Sequence, residues 1–189
     1  SKESLGQQLA VPFFNLHDNG LHPDHVGAAA FDGEGTPTKR LCLIGNGTLE
    51  NLLHSEATAR QFGVSPTGHA GLGAKVSVGP DWFEVSSSQG LISPSPHLDH
   101  RSTQEPFVLI ESLSALHAGV KASQGAFSLP FDGWLVKDGE RISVEAATIA
   151  GDIREVLKGI VHLEPHEVVT HQGVSPHVWV DGLAITGEA

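Results

Sequence analysis

An α+β fold is predicted, a mostly antiparallel, β-rich domain with two short helices. Three observations predict it. Short apolar stretches recur between turn signals from residue 14 to residue 185. Gly45-Asn46-Gly47 and Lys137-Asp138-Gly139-Glu140 are hairpin-type turns. Helical start and stop signals occur at only two places, residues 55–62 and 152–160. A chain of 189 residues is long enough for one core, so a single domain over residues 1–189 is expected.

Phe14 to Gly20 reads as a short strand running into an Asn-Gly turn, because Asn and Gly tolerate positive φ. Nothing in the first thirty residues reads as the natural start of a domain, so the chain is expected to begin mid-structure. Lys39 to Ile44 is the next strand, and Thr48 to Leu53 its return. Ser55 to Phe62 is a helix with Ser55 as N-cap and Gly63 as its stop. Ser65 to Gly73 is a loop, followed by strands at Ala74–Val78 and Trp82–Val85. Residues 86–105, rich in Ser and Pro, read as a long loop and not as a linker, since strand pattern resumes at once.

Phe107–Glu111, Ala118–Ala122 and Ala126–Leu129 read as strands. Trp134–Val136 and Ile142–Val144 flank the Asp-Gly hairpin. In the helix at 152–160, Ile153, Val156, Leu157 and Ile160 share one face, and Asp152 supplies an N-cap or first-turn acid. Val178 to Ile185 is the last strand. No internal repeat of 20–50 residues is present.

The formal charge is −11, from 22 acidic and 11 basic residues, with no basic run. That argues against a nucleic-acid partner, because phosphate binding needs clustered Lys and Arg. No apolar run is long enough for a membrane span, and Ser1 to Leu5 lack the signal-peptide pattern. A soluble cytoplasmic protein is the expectation. The single cysteine, Cys42 in Leu41-Cys42-Leu43-Ile44, excludes a disulfide framework and reads as a buried, inert thiol.

Twelve histidines raise the question of a metal. His162-Leu163-Glu164-Pro165-His166 has the i, i+4 spacing of a zinc helix, but Pro165 would break that helix and Glu164 is misplaced for it. His22/His25 and His97/His100 are i, i+3 pairs in turn-rich segments, and spacing alone supplies neither a third ligand nor an oriented second shell. Gly68-His69-Ala70-Gly71-Leu72-Gly73-Ala74-Lys75 fails as a phosphate loop, because Ala74 separates glycine from lysine and Val76 follows. It reads instead as plain turn structure or as a loop offering backbone N–H groups to a peptide. No serine sits in Gly-x-Ser-x-Gly.

A series of motifs remains. Asp32-Gly33-Glu34-Gly35-Thr36-Pro37-Thr38-Lys39-Arg40, Leu43-Ile44-x-Asn46-Gly47-x-Leu49, Ala59-Arg60-x-x-Gly63 and Thr67-Gly68 come first. Gly125-x-Phe127-Ser128-Leu129, Gly133-Trp134-Leu135-Val136-Lys137-Asp138-Gly139 and Ala147-Thr148-Ile149-Ala150-Gly151 follow. In this order they resemble the C-terminal domain of the TldD/PmbA family, over about residues 5 to 187, with residues 125–151 closer to the PmbA side.

The resemblance implies a β-rich α+β domain from a family once called modulators of DNA gyrase. Its members look like zinc metallopeptidases that work as a pair of related subunits, degrading unfolded peptides and maturing a peptide antibiotic. The TldD-like subunit carries a His-Glu-x-x-x-His helix and a cysteine ligand near its C terminus. The PmbA-like, or TldE, subunit lacks the zinc-binding helix and helps form the substrate channel.

This sequence has no His-Glu-x-x-x-His, and Thr170-His171-Gln172-Gly173-Val174-Ser175 falls where the catalytic subunit places its cysteine. A serine hydroxyl is a poor zinc ligand beside a thiolate. The resemblance therefore implies a non-catalytic, PmbA-like component. This chain would have no catalytic and no metal-binding residue, zinc would lie in a TldD-like partner, and the N-terminal half would be absent. The expected peptide-channel residues are Glu34, Thr36, Thr67, Gly68 and His69, although Gly35, Pro37 and Glu34 also fit a purely turn-shaping or capping part. The expected partners are the TldD-like subunit and peptide, with a homo-oligomer also possible.

Two other readings stay open. One is a catalytic metallopeptidase half-site completed by an N-terminal region, with His171 or His177 standing in for cysteine. The other is a free-standing β-rich protein-binding module presenting a sheet edge or apolar patch.

Overall fold

The computed structural model describes residues 2–89 and 106–188, and strands dominate it. Strands β1 (Phe14–Asn19), β2 (Arg40–Gly45) and β3 (Thr48–Leu49) lead into helix α1 (Glu56–Phe62). Strands β4 (Ala70–Gly71), β5 (Ser77–Val78) and β6 (Phe83–Ser87) follow. Beyond residue 105 come β7 (Phe107–Leu113), α2 (Leu116–Gly119), β8 (Val120–Lys121), β9 (Ala126–Lys137), β10 (Glu140–Asp152), α3 (Ile153–Lys158), β11 (Ile160–Val169), β12 (Gly173–Val180) and β13 (Ala184–Glu188). The expected mostly antiparallel α+β class is what forms. The chain divides into two units, residues 1–91 with 163–178 and residues 92–162 with 179–189.

In the first unit the sheet order is β11-β12-β6-β1-β2-β3. Strand β1 is antiparallel to β2 and to β6, and β12 joins β6 in parallel. Along β1, Phe14 and Asp18 are buried and four residues apart, so both side chains lie on one face. Burying Phe14 there is ordinary; burying Asp18 requires partners.

The turn after β2 closes as expected, with Asn46 at φ 47° and Gly47 at φ 77°. The return strand is shorter than the sequence suggests. After Leu49, the Glu50 and Asn51 N–H groups both point to the Leu43 carbonyl, and Asn51 Nδ2 donates to the Cys42 carbonyl. Side-chain and loop hydrogen bonds replace the ladder there. Cys42 itself is half-buried, and burial followed by a hydrogen bond with Glu50 pushes its thiol up, in keeping with an inert cysteine.

Helix α1 starts in a capping box: Ser55 Oγ accepts from Thr58 N–H, and Thr58 Oγ1 accepts from Ser55 N–H. Gly63 ends it in the left-handed region at φ 68°.

In the second unit the order is β13-β10-β9-β7, with β8 beside β9. Leu129, Phe131 and Gly133 are buried, while Ser128, Pro130 and Asp132 between them are exposed. Leu129, Phe131, Ala147 and Ile149 form the core cluster, ringed by Val108, Ile110, Phe127, Val144 and Leu183. The Asp138-Gly139 turn joins β9 to β10 with both residues at positive φ, 52° and 80°. Two strands expected as separate, 126–129 and 134–136, are one continuous β9.

Several expectations change, and three short α-helices form among the described residues where two were expected. Ala118 and Gly119 turn in α2, leaving only Val120–Lys121 paired, because the Ala118 and Gly119 N–H groups fold back onto the Ala115 carbonyl. Helix α3 stops at Lys158, so Ile160 is buried in β11 and does not extend the helical face. The segment read as loop at 162–166 lies in β11, and a separate strand β12 precedes β13 where one last strand was expected. Among the described residues β11 is the outer strand of its sheet, the place in a sheet where a proline is tolerated. Of the expected loop at 86–105, Ser86 and Ser87 belong to β6, and residues 90–105, with the His97/His100 pair, lie outside the described residues.

Helix α3 gives a pH prediction. Asp152 Oδ1 accepts from Arg154 N–H, and its carboxylate pairs with the Arg154 guanidinium. Those hydrogen bonds and the Arg154 charge depress its pKa from 3.8 to about 2. A depressed folded pKa stabilises above the unfolded value and stops doing so as pH falls through the folded one. The cap should therefore be intact above about pH 4 and released near pH 2. An NMR titration of the Asp152 carboxyl carbon reads this directly; a midpoint at the ordinary 3.8 would refute it.

Candidate functional site

The Asp-Gly-Glu-Gly-Thr-Pro segment is organised by one carboxylate. Asp32 Oδ1 accepts from Glu34 and Thr36 N–H, both at 2.9 Å, and Oδ2 accepts from Ala70 N–H at 3.0 Å. Burial alone would raise this carboxyl, but the Ala70, Thr36 and Glu34 donors outweigh it and hold it below the usual range. Gly33 N–H donates to the Ala70 carbonyl at 2.7 Å, and a Cβ on Gly33 would sit 2.8 Å from that same oxygen. The turn is thus fastened to the loop at residues 67–70.

That loop is fastened again from the other side. Thr67 Oγ1 accepts from His54 N–H at 2.7 Å and donates to the His54 carbonyl at 3.1 Å. Gly68 follows at φ 80°, packed against Pro37. His69 Nδ1 lies 3.0 Å from Thr67 Oγ1. With the hydroxyl proton on the His54 carbonyl, Nδ1 is the donor toward Thr67; with it turned to His69, the roles reverse.

His69 is 2% exposed, and its Nε2 lies 3.3 Å from Asp18 Oδ1 without hydrogen-bond geometry. Asp18 is fully buried: Oδ2 accepts from Asp81 N–H at 2.9 Å, and Oδ1 lies 3.4 Å from the Trp82 N–H. Asp81 brings a second carboxylate, and ligand atoms of Asp18, His69 and Asp81 all lie within 4.8 Å of one another. Burial, then the Asp18 charge, push the Asp81 carboxyl up. The cluster opens on a cavity of about 390 Å³ whose walls include Gly20, His25, Phe31, Asp32, His69 and Asp81. Trp82, wholly buried behind it, stacks on His22 with ring centroids 4.1 Å apart. His22 Nε2 in turn lies 3.7 Å from Glu84. Burial would raise Glu84, but hydrogen bonds from Asn19 and Arg40 outweigh it and keep the carboxyl low.

Of the five residues nominated from sequence, His69 lines the cavity. Thr67 is buried and Gly68 shapes the backbone, so both act by placing His69. Glu34 is exposed and its Oε2 accepts from Glu56 N–H at 2.8 Å, satisfying a free donor at the start of α1. Thr36 serves through its backbone. His162 and His166 lie on one strand four residues apart, about 13 Å, too far to share an ion. Sequence reading passed over Asp18 and Asp81. No local spacing links residues 18, 69 and 81; the one signal is an acid on the same strand face as Phe14.

At the Thr170–Ser175 turn, Thr170 N–H and Oγ1 both donate to the Gly173 carbonyl, at 2.8 and 3.0 Å. His171 is exposed, and His177, also exposed, has Nδ1 3.2 Å from Glu164 Oε2. This donor set does not fit a zinc that requires a thiolate there.

Comparison with known proteins adds a consistent set of similarities. The profile of the PmbA/TldA metallopeptidase C-terminal domain matches residues 1–187. Metalloprotease PmbA of Escherichia coli O157:H7 is 29% identical over 160 residues, 84% of this chain and 32% of that protein. A metalloprotease PmbA homolog of Haemophilus influenzae is 26% identical, over 84% of this chain and 33% of its own length. The chain thus spans about a third of the curated relatives it matches. A Thermotoga maritima protein described as a modulator of a DNA gyrase superposes with a TM-score of 0.84 at 30% identity, over 98% of this chain and 42% of that one. TldE from Thermococcus kodakarensis gives 0.79 at 20% identity, over 97% and 42%, a likeness of fold.

Proposed function

Because the chain belongs to the PmbA/TldA metallopeptidase C-terminal domain family, we propose that it serves a PmbA/TldE-like component that does not hold the peptidase zinc. A TldD-like partner carries that zinc, and the pair acts on unfolded peptides in the cytoplasm. The observation that carries this reading is the Thr170–Ser175 turn, whose two hydroxyls donate to the Gly173 and Pro176 carbonyls and which contains no thiol. The similarity to proteins named metalloprotease PmbA supports it. So does the charge of −11, which disfavours a nucleic-acid partner. No helix among the described residues is long and apolar enough to cross a membrane.

This chain's part is to present peptide-facing surface. The 390 Å³ cavity with His69 in its wall is the concave feature suited to it. Thr67 and Gly68 set the loop, while Glu34 and Thr36 hold the adjoining turn against α1 and Asp32.

The full-length protein should cleave an unfolded substrate such as reduced, alkylated casein only when mixed with its TldD-like partner. Proteolysis by the protein alone, abolished by His171→Ala or His177→Ala, would overturn the reading in favour of a variant catalytic site.

A further inference from the structure

We infer that Asp18, His69 and Asp81 form a divalent-cation site of the zinc type at the wall of the cavity. The inference does not depend on the function proposed above.

The argument starts from protons. Thr67 receives from His54 N–H and has the His54 carbonyl at 3.1 Å to take its own proton, the arrangement in which His69 Nδ1 is the donor in their contact and which an ion on Nε2 requires. In the neutral ring, Nε2 then bears a lone pair. That lone pair faces Asp18 Oδ1 at 3.3 Å, and both side chains are wholly buried. Two acceptors turned to each other out of water repel unless something positive lies between them. A proton on Nε2 is poorly served, because the approach to Asp18 lacks hydrogen-bond geometry. A cation is well served. Donors about 2.0–2.1 Å from a tetrahedral ion stand about 3.3–3.4 Å apart, the separation found here.

The surroundings are those of a metal-binding imidazole. Nδ1 has a fixed oxygen to donate to at 3.0 Å, an arrangement that leaves Nε2 for the ion. Asp18 is held by Asp81 N–H and directed toward His69. Asp81 supplies the third donor from the cavity wall. Gly20 leaves room for it, since a Cβ at that position would come within 2.6 Å of Asp81 Oδ2. Three protein ligands leave a further position turned to the cavity, where a water or a carbonyl or carboxylate oxygen of a bound peptide would coordinate. One imidazole and two carboxylates suit Zn²⁺, Co²⁺ or Mn²⁺ better than a soft ion.

The test uses the full-length protein, stripped with a chelator, dialysed and titrated with Co²⁺ and then Zn²⁺ at pH 7.5. Uptake is followed by calorimetry and by the visible Co²⁺ bands. Asp81→Asn is the first variant, because among the described residues the fold uses the Asp81 N–H, which asparagine keeps. It should bind one equivalent fewer than the parent, or bind that equivalent at least about tenfold more weakly, with an unchanged circular dichroism spectrum. Asp18→Asn, which keeps an oxygen for the Asp81 N–H, should do the same. His171→Ala and His177→Ala should leave this equivalent in place. Equal stoichiometry and affinity in the parent and Asp81→Asn would overturn the site. So would a parent that takes up no ion, which would leave a proton between His69 and Asp18.

Discussion

Replacing Asp18 by alanine is expected to cost about 4 kcal/mol of unfolding free energy, a fall in Tm of roughly 10 °C for a chain of this size. The carboxylate is wholly out of water and accepts from the Asp81 N–H and the Trp82 N–H. Alanine removes the acceptor of both at once. It leaves two backbone donors at the entry to β6 without a counterpart, and an orphaned buried polar group costs more than the bond it made was worth. Trp82, whose own N–H belongs to this set, is wholly buried, so the damage reaches the first unit's interior. Asparagine keeps an acceptor for the shorter bond, from the Asp81 N–H, and should lose less than alanine does. Urea unfolding of the two variants side by side measures this; a wild-type midpoint for Asp18→Ala would show that Asp18 holds nothing together.

The second large effect is expected at Gly68. Its φ of 80° costs an L-residue about 1–2 kcal/mol. A Cβ there would also lie 2.5 Å from the Pro37 carbonyl oxygen, a backbone atom fixed by the turn that Asp32 organises. Overpacking of that kind adds about 1–3 kcal/mol. Gly68→Ala should therefore lose about 3 kcal/mol. Gly35 separates the two causes: its φ is 81°, yet a Cβ on it meets nothing within 4 Å. Gly35→Ala should lose only about 1 kcal/mol. Equal losses in thermal unfolding would mean that collision with Pro37 plays no part.

The fold was legible where signals are local. Ser55 and Gly63 mark α1 because caps act over one turn, and Asp138-Gly139 marks its hairpin because the turn itself demands positive φ. Strand β11 was missed because Pro165 weighs against a strand unless that strand is known to be outermost, and sheet order is not a local property. Strand β3 was overdrawn because the ladder gives way to Asn51 and Thr67 side chains that compete for the backbone. The site was legible in part for the same reason. Thr67, Gly68 and His69 are contiguous and stand next to a glycine that needs explaining. Asp18 and Asp81 meet His69 only once β1 and the start of β6 are side by side.

The outer position of β11 has a consequence for how copies of this protein behave at high concentration. An open strand edge invites a neighbouring molecule to add its own strand, and Val168 and Val169, each about half exposed, would favour such growth. Pro165 presents no N–H to an incoming strand, and its ring crowds the approach. Glu164 and Glu167 place negative charge on either side of it, on a molecule already at −11. The proline that disguised this strand in the sequence is the same residue expected to make its edge a poor template for another copy.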